Sequence, residues 1–138
     1  MPDKDEYAYE EEAEPRELSH NLDLGRRGEE AAARFLVRRG YEVIERNWTC
    51  PAGEADIIAK DDECIVFVEV KTRMDEDQGV PEEAVTAEKR KRYERIAAFF
   101  LRDYEEVNIQ VRFDVIGILV LTPDRAMVRH HINAFGVM

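Results

Sequence analysis

The spacing of apolar and polar positions changes several times along the chain, and each change marks an element. From Asn21 to Arg39, Leu24, Gly28, Ala31, Ala32, Phe35 and Leu36 fall on one broad stripe at 100° per residue, which predicts an amphipathic helix with that stripe toward the core. Asn21 or Asp23 is placed to cap its start and Gly40 to end it. Glu29 lies at the edge of the stripe, whereas Glu30 points nearly away from it, among the Arg and Glu side chains of the solvated face. Three strand-like runs follow, Tyr41 to Trp48, Glu54 to Lys60 and Cys64 to Val70, with Asp61 and Asp62 as the hairpin tip between the last two. Thr72 to Val85, with its acidic residues, Gly79 and Pro81, reads as a loop with room for one helical turn after the proline. Thr86 then caps a helix to about Arg102 that buries Tyr93, Ile96, Ala97 and Phe100. Ile109 to Leu121 is one long strand or a pair, Pro123 and Asp124 make a turn, and Met127 to Ile132 is a final strand. The order is α-β-β-β-α-β-β, an α/β class, without internal repeats.

A length of 138 residues fits one compact domain and leaves no room for a second catalytic one. Apolar residues at 44% and charged ones at 37% exclude collagenous, linker-like and wholly disordered classes. No window approaches the roughly 18 uninterrupted apolar residues of a membrane-spanning helix. The first twenty residues lack the basic and apolar regions of a signal peptide, so a cytoplasmic protein with no membrane partner is expected. Cys50 and Cys64 match no CxxC or zinc spacing and read as reduced, structural thiols.

The net charge of −11 runs against an acidic partner such as nucleic acid. It is unevenly placed, however. Residues 1–20 hold 8 Asp or Glu against 2 Lys or Arg and read as a disordered acidic tail, ahead of a mildly acidic domain over residues 21–138. Within that domain, Arg26, Arg27, Arg34, Arg38, Arg39 and the run Lys89, Arg90, Lys91, Arg92 with Arg95 can form local positive patches.

The candidate chemistry lies in residues 53–73. Alternation puts Glu69 and Lys71 on one face of the third strand with Ile65 and Phe67. A tip at Asp61 and Asp62 sets Glu54 opposite Glu69 and Asp56 opposite Phe67, which makes Asp56 and Glu69 diagonal neighbours about 7–8 Å apart on one face. Unpaired charges on an apolar strand are costly unless a counter-charge is supplied. A hard divalent cation supplies one, because Mg²⁺ takes carboxylate oxygens, keeps waters and can hold a phosphate oxygen as well. Lys71 adds a donor suited to orienting water or stabilising charge that grows in a transition state. Glu29, at the rim of the first helix, can complete the shell. Glu54 either ends a turn or serves the metal, as a ligand or as a support to the residues that hold it. Lys89 to Arg92 are either a solvated helix face or a phosphate-positioning surface, and Thr72 and Arg73 are placed to touch a scissile strand. Arg112 and Asp114, His130 and His131, and Trp48 read as structural, the last as a cap on the core.

Asp56 followed by Glu69-Val70-Lys71 resembles the PD-(D/E)xK nuclease core, and the wider series resembles the small bacterial YraN family, itself similar to archaeal Holliday junction resolvases. That series is Gly25-x-x-Gly28-Glu29, Gly40-Tyr41, Arg46-Asn47-Trp48, Gly53-Glu54-Ala55-Asp56, Phe67 to Arg73, Gly79 with Pro81, Val85-Thr86 with Lys89, Arg112 to Val115 and Asn133-Ala134-Phe135. Ala55 stands where the family usually has Ile, and the acidic extension is unusual; neither removes a site residue. The resemblance implies a restriction-endonuclease-like core, a mixed central sheet flanked by helices. It also implies a Mg²⁺- or Mn²⁺-dependent endonuclease acting on DNA, branched or otherwise structured, with Glu29, Asp56 and Glu69 as metal ligands and Lys71 as the catalytic lysine. Arg73 and Lys89, Arg90, Lys91 and Arg92 are the expected nucleic-acid contacts, and a two-fold junction would be cut most easily by a homodimer. The competing expectation is a nucleic-acid-binding or assembly module that keeps the fold without catalysis. A small-molecule hydrolase would need an enclosed pocket in place of a short ridge of carboxylates.

Overall fold

The computed structural model describes residues 5–11, 21–62, 64–74, 86–104 and 108–134, with residues 5–11 and 21–23 as backbone alone. The elements are β1 (Asp5–Glu11), α1 (Asn21–Arg38), β2 (Glu42–Cys50), β3 (Gly53–Asp61), β4 (Cys64–Arg73), α2 (Ala87–Arg102), β5 (Gln110–Thr122) and β6 (Arg125–His131). From residue 21 onward this is the expected α-β-β-β-α-β-β order, and the fold is an α/β mixed sheet flanked by helices. The run expected as one strand or a pair is a single strand, Gln110–Thr122, and residues 75–85 of the expected loop lie outside the described residues.

The strands form one six-stranded sheet in the order β1-β6-β5-β4-β3-β2. Every neighbouring pair is antiparallel except β4 and β5. A parallel pair needs a long crossover, and the segment containing α2 provides it. The expectation of disorder over residues 1–20 is corrected in part. Asp5–Glu11 pair with β6 along its length, from Asp5 opposite His131 to Glu11 opposite Arg125. Without β1, β6 would present a row of unpaired amides and carbonyls as an open edge, and that main-chain complementarity leaves no mark in side-chain periodicity.

Both helix boundaries have visible causes. Gly40, at φ +93°, takes the left-handed conformation that ends α1 and that a side chain would resist. Thr86 Oγ1 accepts the Lys89 amide at 3.1 Å and caps α2.

Each helix covers one face of the sheet, so the core has two layers. On the α1 side, Ala31, Ala32, Phe35 and Leu36 meet Ile57, Ala59, Val66, Val68, Ile116 and Ile118. On the α2 side, Tyr93, Ile96 and Ala97 meet Ala55, Ile58, Ile65, Phe67 and Val115, with Trp48 packed edge-on against Phe100. Coverage on both faces explains why β4 reads as an almost unbroken apolar run, Ile65 to Val68, all fully buried. Gly28 is the closest approach of α1 to the sheet: a methyl group there would overlap the Thr72 side chain, whose Cβ lies 2.9 Å away. Cys50 and Cys64 are unbridged and half-buried. Among the described residues no helix is long and apolar enough to cross a membrane.

Candidate functional site

β3 and β4 are paired from Asp61 opposite Cys64 to Ile57 opposite Val68. The hairpin tip is therefore one residue later than the sequence reading placed it, and Ile58, not Asp56, faces Phe67. A change of tip centre by a whole residue preserves parity, so the shift by itself exchanges no faces. Continued one rung further, this register sets Asp56 level with Glu69.

At that rung the regular ladder stops. On β2, Arg46 pairs with Ile57 and Trp48 with Ala55, leaving Asn47 level with Asp56. Asn47 is at φ +51°, a left-handed conformation that asparagine tolerates better than most residues. Ala55 packs on the α2 side and Ile57 on the α1 side, although strict alternation would put them on one face. The chain turns over at Asp56, and its carboxylate Oδ2 accepts the Val70 amide of β4 at 2.8 Å. A side chain thus takes the place of a main-chain acceptor where the two strands part.

The parting opens a cleft of about 340 Å³ lined by Leu24, Gly25 and Glu29 of α1, by Asp56, and by Val70 to Arg73. Burial and the neighbouring charges of Glu29, Glu69 and Glu54 push the Asp56 carboxyl up to about 6, against the lowering effect of the Val70 amide. The Glu29 carboxyl is also raised, by burial first and by Glu54, while a hydrogen bond from the Asn47 side chain and the charge of Arg46 oppose the rise. Like charges held together out of water favour the proton, and both shifts follow from that.

Glu69 behaves differently. It is 7% exposed, and burial alone would raise its carboxyl, yet the net direction is downward because Lys89 and Lys71 outweigh it. Lys89 Nζ lies 2.7 Å and Lys71 Nζ 3.3 Å from the same oxygen, Oε2, and Arg92 Nη2 is 3.9 Å from Oε1. Tyr93 hydrogen-bonds to the same carboxylate.

The expected site residues are thereby sorted. Asp56, Glu29 and Lys71 share the cleft, Glu54 contributes its charge to both raised carboxyls, and Glu69 lies beside Lys71 but is engaged by α2. Among the described residues no three His, Cys, Asp or Glu side chains are gathered as a ready-made metal cage. Arg73 lines the cleft and donates to the Thr72 carbonyl at 3.2 Å. The basic run on α2 divides by helical phase. Lys89 and Arg92 turn to Glu69, with the Arg92 stem lying against Gly53; Lys91 is exposed and Arg90 half-buried. Three contributors were not legible as such from sequence: Asn47 as the partner of Glu29, and Lys89 and Tyr93 as partners of Glu69. For Asn47 there was a signal, since asparagine is depleted within strands and this one interrupts an otherwise strand-like run.

The model of the uncharacterised protein family UPF0102 matches residues 28–118, a stretch that takes in Glu29, Asn47, Asp56, Glu69, Lys71 and Lys89. A UPF0102 protein of Geobacter sulfurreducens is 45% identical over 116 residues, covering 84% of this chain and 91% of the relative. One from Rhodococcus opacus is 42% identical over 118 residues, 86% of this chain and all of the relative, and one from Nocardia farcinica is 47% identical over 111 residues, 80% and 87% of the two. With a family match over most of its length and relatives aligned nearly end to end, the chain belongs to UPF0102, the YraN family.

Proposed function

We propose that this protein is a metal-dependent endonuclease of the PD-(D/E)xK kind that hydrolyses phosphodiester bonds in DNA, with branched or otherwise structured DNA as the substrate. One observation carries the reading: Asp56, level with Glu69 at the split between β3 and β4, has Glu29 and Lys71 in the same cleft and its carboxyl pushed up to about 6 by burial and by other carboxylates. A structural aspartate at such a depth is normally matched to a cation or several donors. Among the described residues this one meets a main-chain amide and three acidic neighbours.

The donor set fits a hard divalent cation, whose charge would relieve the repulsion that raises Asp56 and Glu29. Asp56 and Glu29 would hold Mg²⁺ or Mn²⁺, with Glu69 joining them and Glu54 close by. The bound ion would supply Lewis acidity and a water of lowered pKa. Of the chain's own groups, Lys71 is placed to align the attacking water and to stabilise charge growing on the phosphate. Asn47 holds Glu29 in orientation through its side-chain hydrogen bond. Arg73 and the exposed Lys91 would meet the flanking phosphates, and a symmetric junction favours a homodimer as the working form.

The second reading, a binding or assembly module without catalysis, is favoured by the engagement of Glu69 with three cationic side chains and by the net charge of −11. Labelled four-way junctions, flaps, single strands and linear duplexes, each offered with Mg²⁺, Mn²⁺ or EDTA, separate the two. Wild type cuts in a metal-dependent way, Glu69→Ala loses metal affinity and turnover together, and Lys71→Ala keeps metal binding while turnover falls. A wild type that binds these DNAs but cuts none with either metal gives the assignment to the binding module.

A further inference from the structure

Lys89 is drawn inward although it belongs to a basic run at the start of a helix. Its side chain is 18% exposed, and its ammonium makes the shortest contact at Glu69, 2.7 Å to Oε2, inside the 3.3 Å of Lys71 to the same oxygen. The capping bond from its amide to Thr86 anchors the residue at the first turn of α2, so the side chain reaches Glu69 from the helix while Lys71 reaches it from the strand. A carboxylate oxygen with two ammonium groups on it has little lone-pair capacity left for a third cation.

We propose that Lys89 is a built-in competitor for the metal: its ammonium occupies the Glu69 oxygen that a divalent cation needs, and on metal loading it is released to contact a substrate phosphate. The inference rests on the metal-nuclease reading and adds to it a positioning residue that couples two events. Before loading, Lys89 is the nearest of three cations that neutralise a nearly buried carboxylate. After loading, Glu69 is neutralised by the ion, and Lys89 becomes a free cation beside the exposed Lys91. By linkage, metal binding then tightens DNA binding, and DNA tightens metal binding by the same factor. Lys71, one alternation along the strand from Glu69, stays in the cleft in either state, so the two lysines have separate work.

The test is Mn²⁺ binding to metal-stripped full-length protein by titration calorimetry, without DNA. Lys89→Met should bind Mn²⁺ about tenfold more tightly than wild type, the size of one hydrogen bond to a charged group. Arg95→Met removes the same charge from the same helix and should change Mn²⁺ affinity by less than about twofold, which separates a contact effect from a general field effect. Lys89→Gln keeps a donor without the charge and serves if Met perturbs the helix; it too should bind more tightly. A residue that only braced α2 against β4 would, when removed, loosen metal binding or leave it alone. In DNA binding followed by anisotropy, with Ca²⁺ as a cation that does not support cleavage, Lys89→Met should lose more affinity with Ca²⁺ than without it. Wild type that binds Mn²⁺, with both Lys89 variants binding it no more tightly, overturns the competitor role and leaves the nuclease reading standing. No Mn²⁺ binding by wild type or by the variants overturns both.

Discussion

Two aspartates stand on the strands either side of β4 and behave in opposite ways. Asp114 on β5 is fully buried, and burial pushes its carboxyl up, but His130 and Arg112 hold it below the ordinary carboxylate range. Its Oδ1 accepts Arg112 Nε at 3.0 Å and the Asn133 amide at 2.8 Å; its Oδ2 accepts Arg112 Nη2 at 3.0 Å and lies 2.8 Å from His130 Nε2. Arg112 in turn donates to the Tyr41 hydroxyl at 2.7 Å. Asp56 on β3 is less buried, yet burial and then its carboxylate neighbours raise its carboxyl to about 6, opposed by the bond it accepts from the Val70 amide. The difference teaches what burial alone does not: Asp114 is matched by donors and cations within the fold, whereas Asp56 is a charge for which the described residues supply no cationic partner. That asymmetry separates a structural network from a candidate site within one sheet.

Replacing the two residues should therefore break different things. The largest effect is expected at Asp114→Ala, which takes the shared carboxylate from the half-buried Arg112 and the fully buried His130 and should lose about 3–5 kcal/mol in denaturant unfolding. A loss below about 1 kcal/mol would mean that the network is not what holds that part of the sheet. Asp56→Asn keeps an acceptor for the Val70 amide and removes a charge from among like charges. Its stability should match or slightly exceed wild type, while cleavage falls at least about a hundredfold, roughly 2.7 kcal/mol in barrier. Destabilisation as severe as that of Asp114→Ala would erase the distinction between the two carboxylates.

A smaller change tests the geometry between helix and site. Gly28→Ala drives a methyl group into Thr72, so α1 must move off β4, with a destabilisation of about 1–3 kcal/mol by thermal melt. Because Glu29 is the next residue, cleavage should fall by more than the folded fraction does. The smallest effect is a slope. A carboxyl whose folded pKa lies below its unfolded value stabilises the protein fully above the unfolded value, about 3.9, and that stability is lost as pH falls through the folded one. Asp114 should accordingly contribute to acid unfolding only below about pH 4, with a slope of at most about 1.4 kcal/mol per pH unit, and Asp114→Asn should flatten it. An Asp114→Asn curve parallel to wild type throughout that range would show that Asp114 titrates alike in both states.

Much of this was legible along the chain. The stripe from Leu24 to Leu36, the Thr86 cap, Gly40 and the alternation in β4 are local, and local periodicity states which side of an element faces the core. It also singled out Asp56, Glu69 and Lys71, because a carboxylate and a lysine on an otherwise apolar strand depart from a pattern the chain itself sets. The one-residue error in the hairpin tip did no harm to this, since it preserved the parity on which the faces depend.

What tertiary structure alone decided is how each charge is met. Lys89 reaches Glu69 from twenty residues further on, Asn47 of β2 meets Glu29 of α1, Asp114 finds His130 on β6, and residues 5–11 find the β6 edge from the far end of the chain. The turn-over at Asn47 and Asp56 arises where β3 parts from β4 while it stays paired with β2, and no period within one strand records it. The physical reason is range: side-chain period is set by the backbone of a single element, whereas the state of a charge is set by every group within a few ångströms, whatever its position in the sequence.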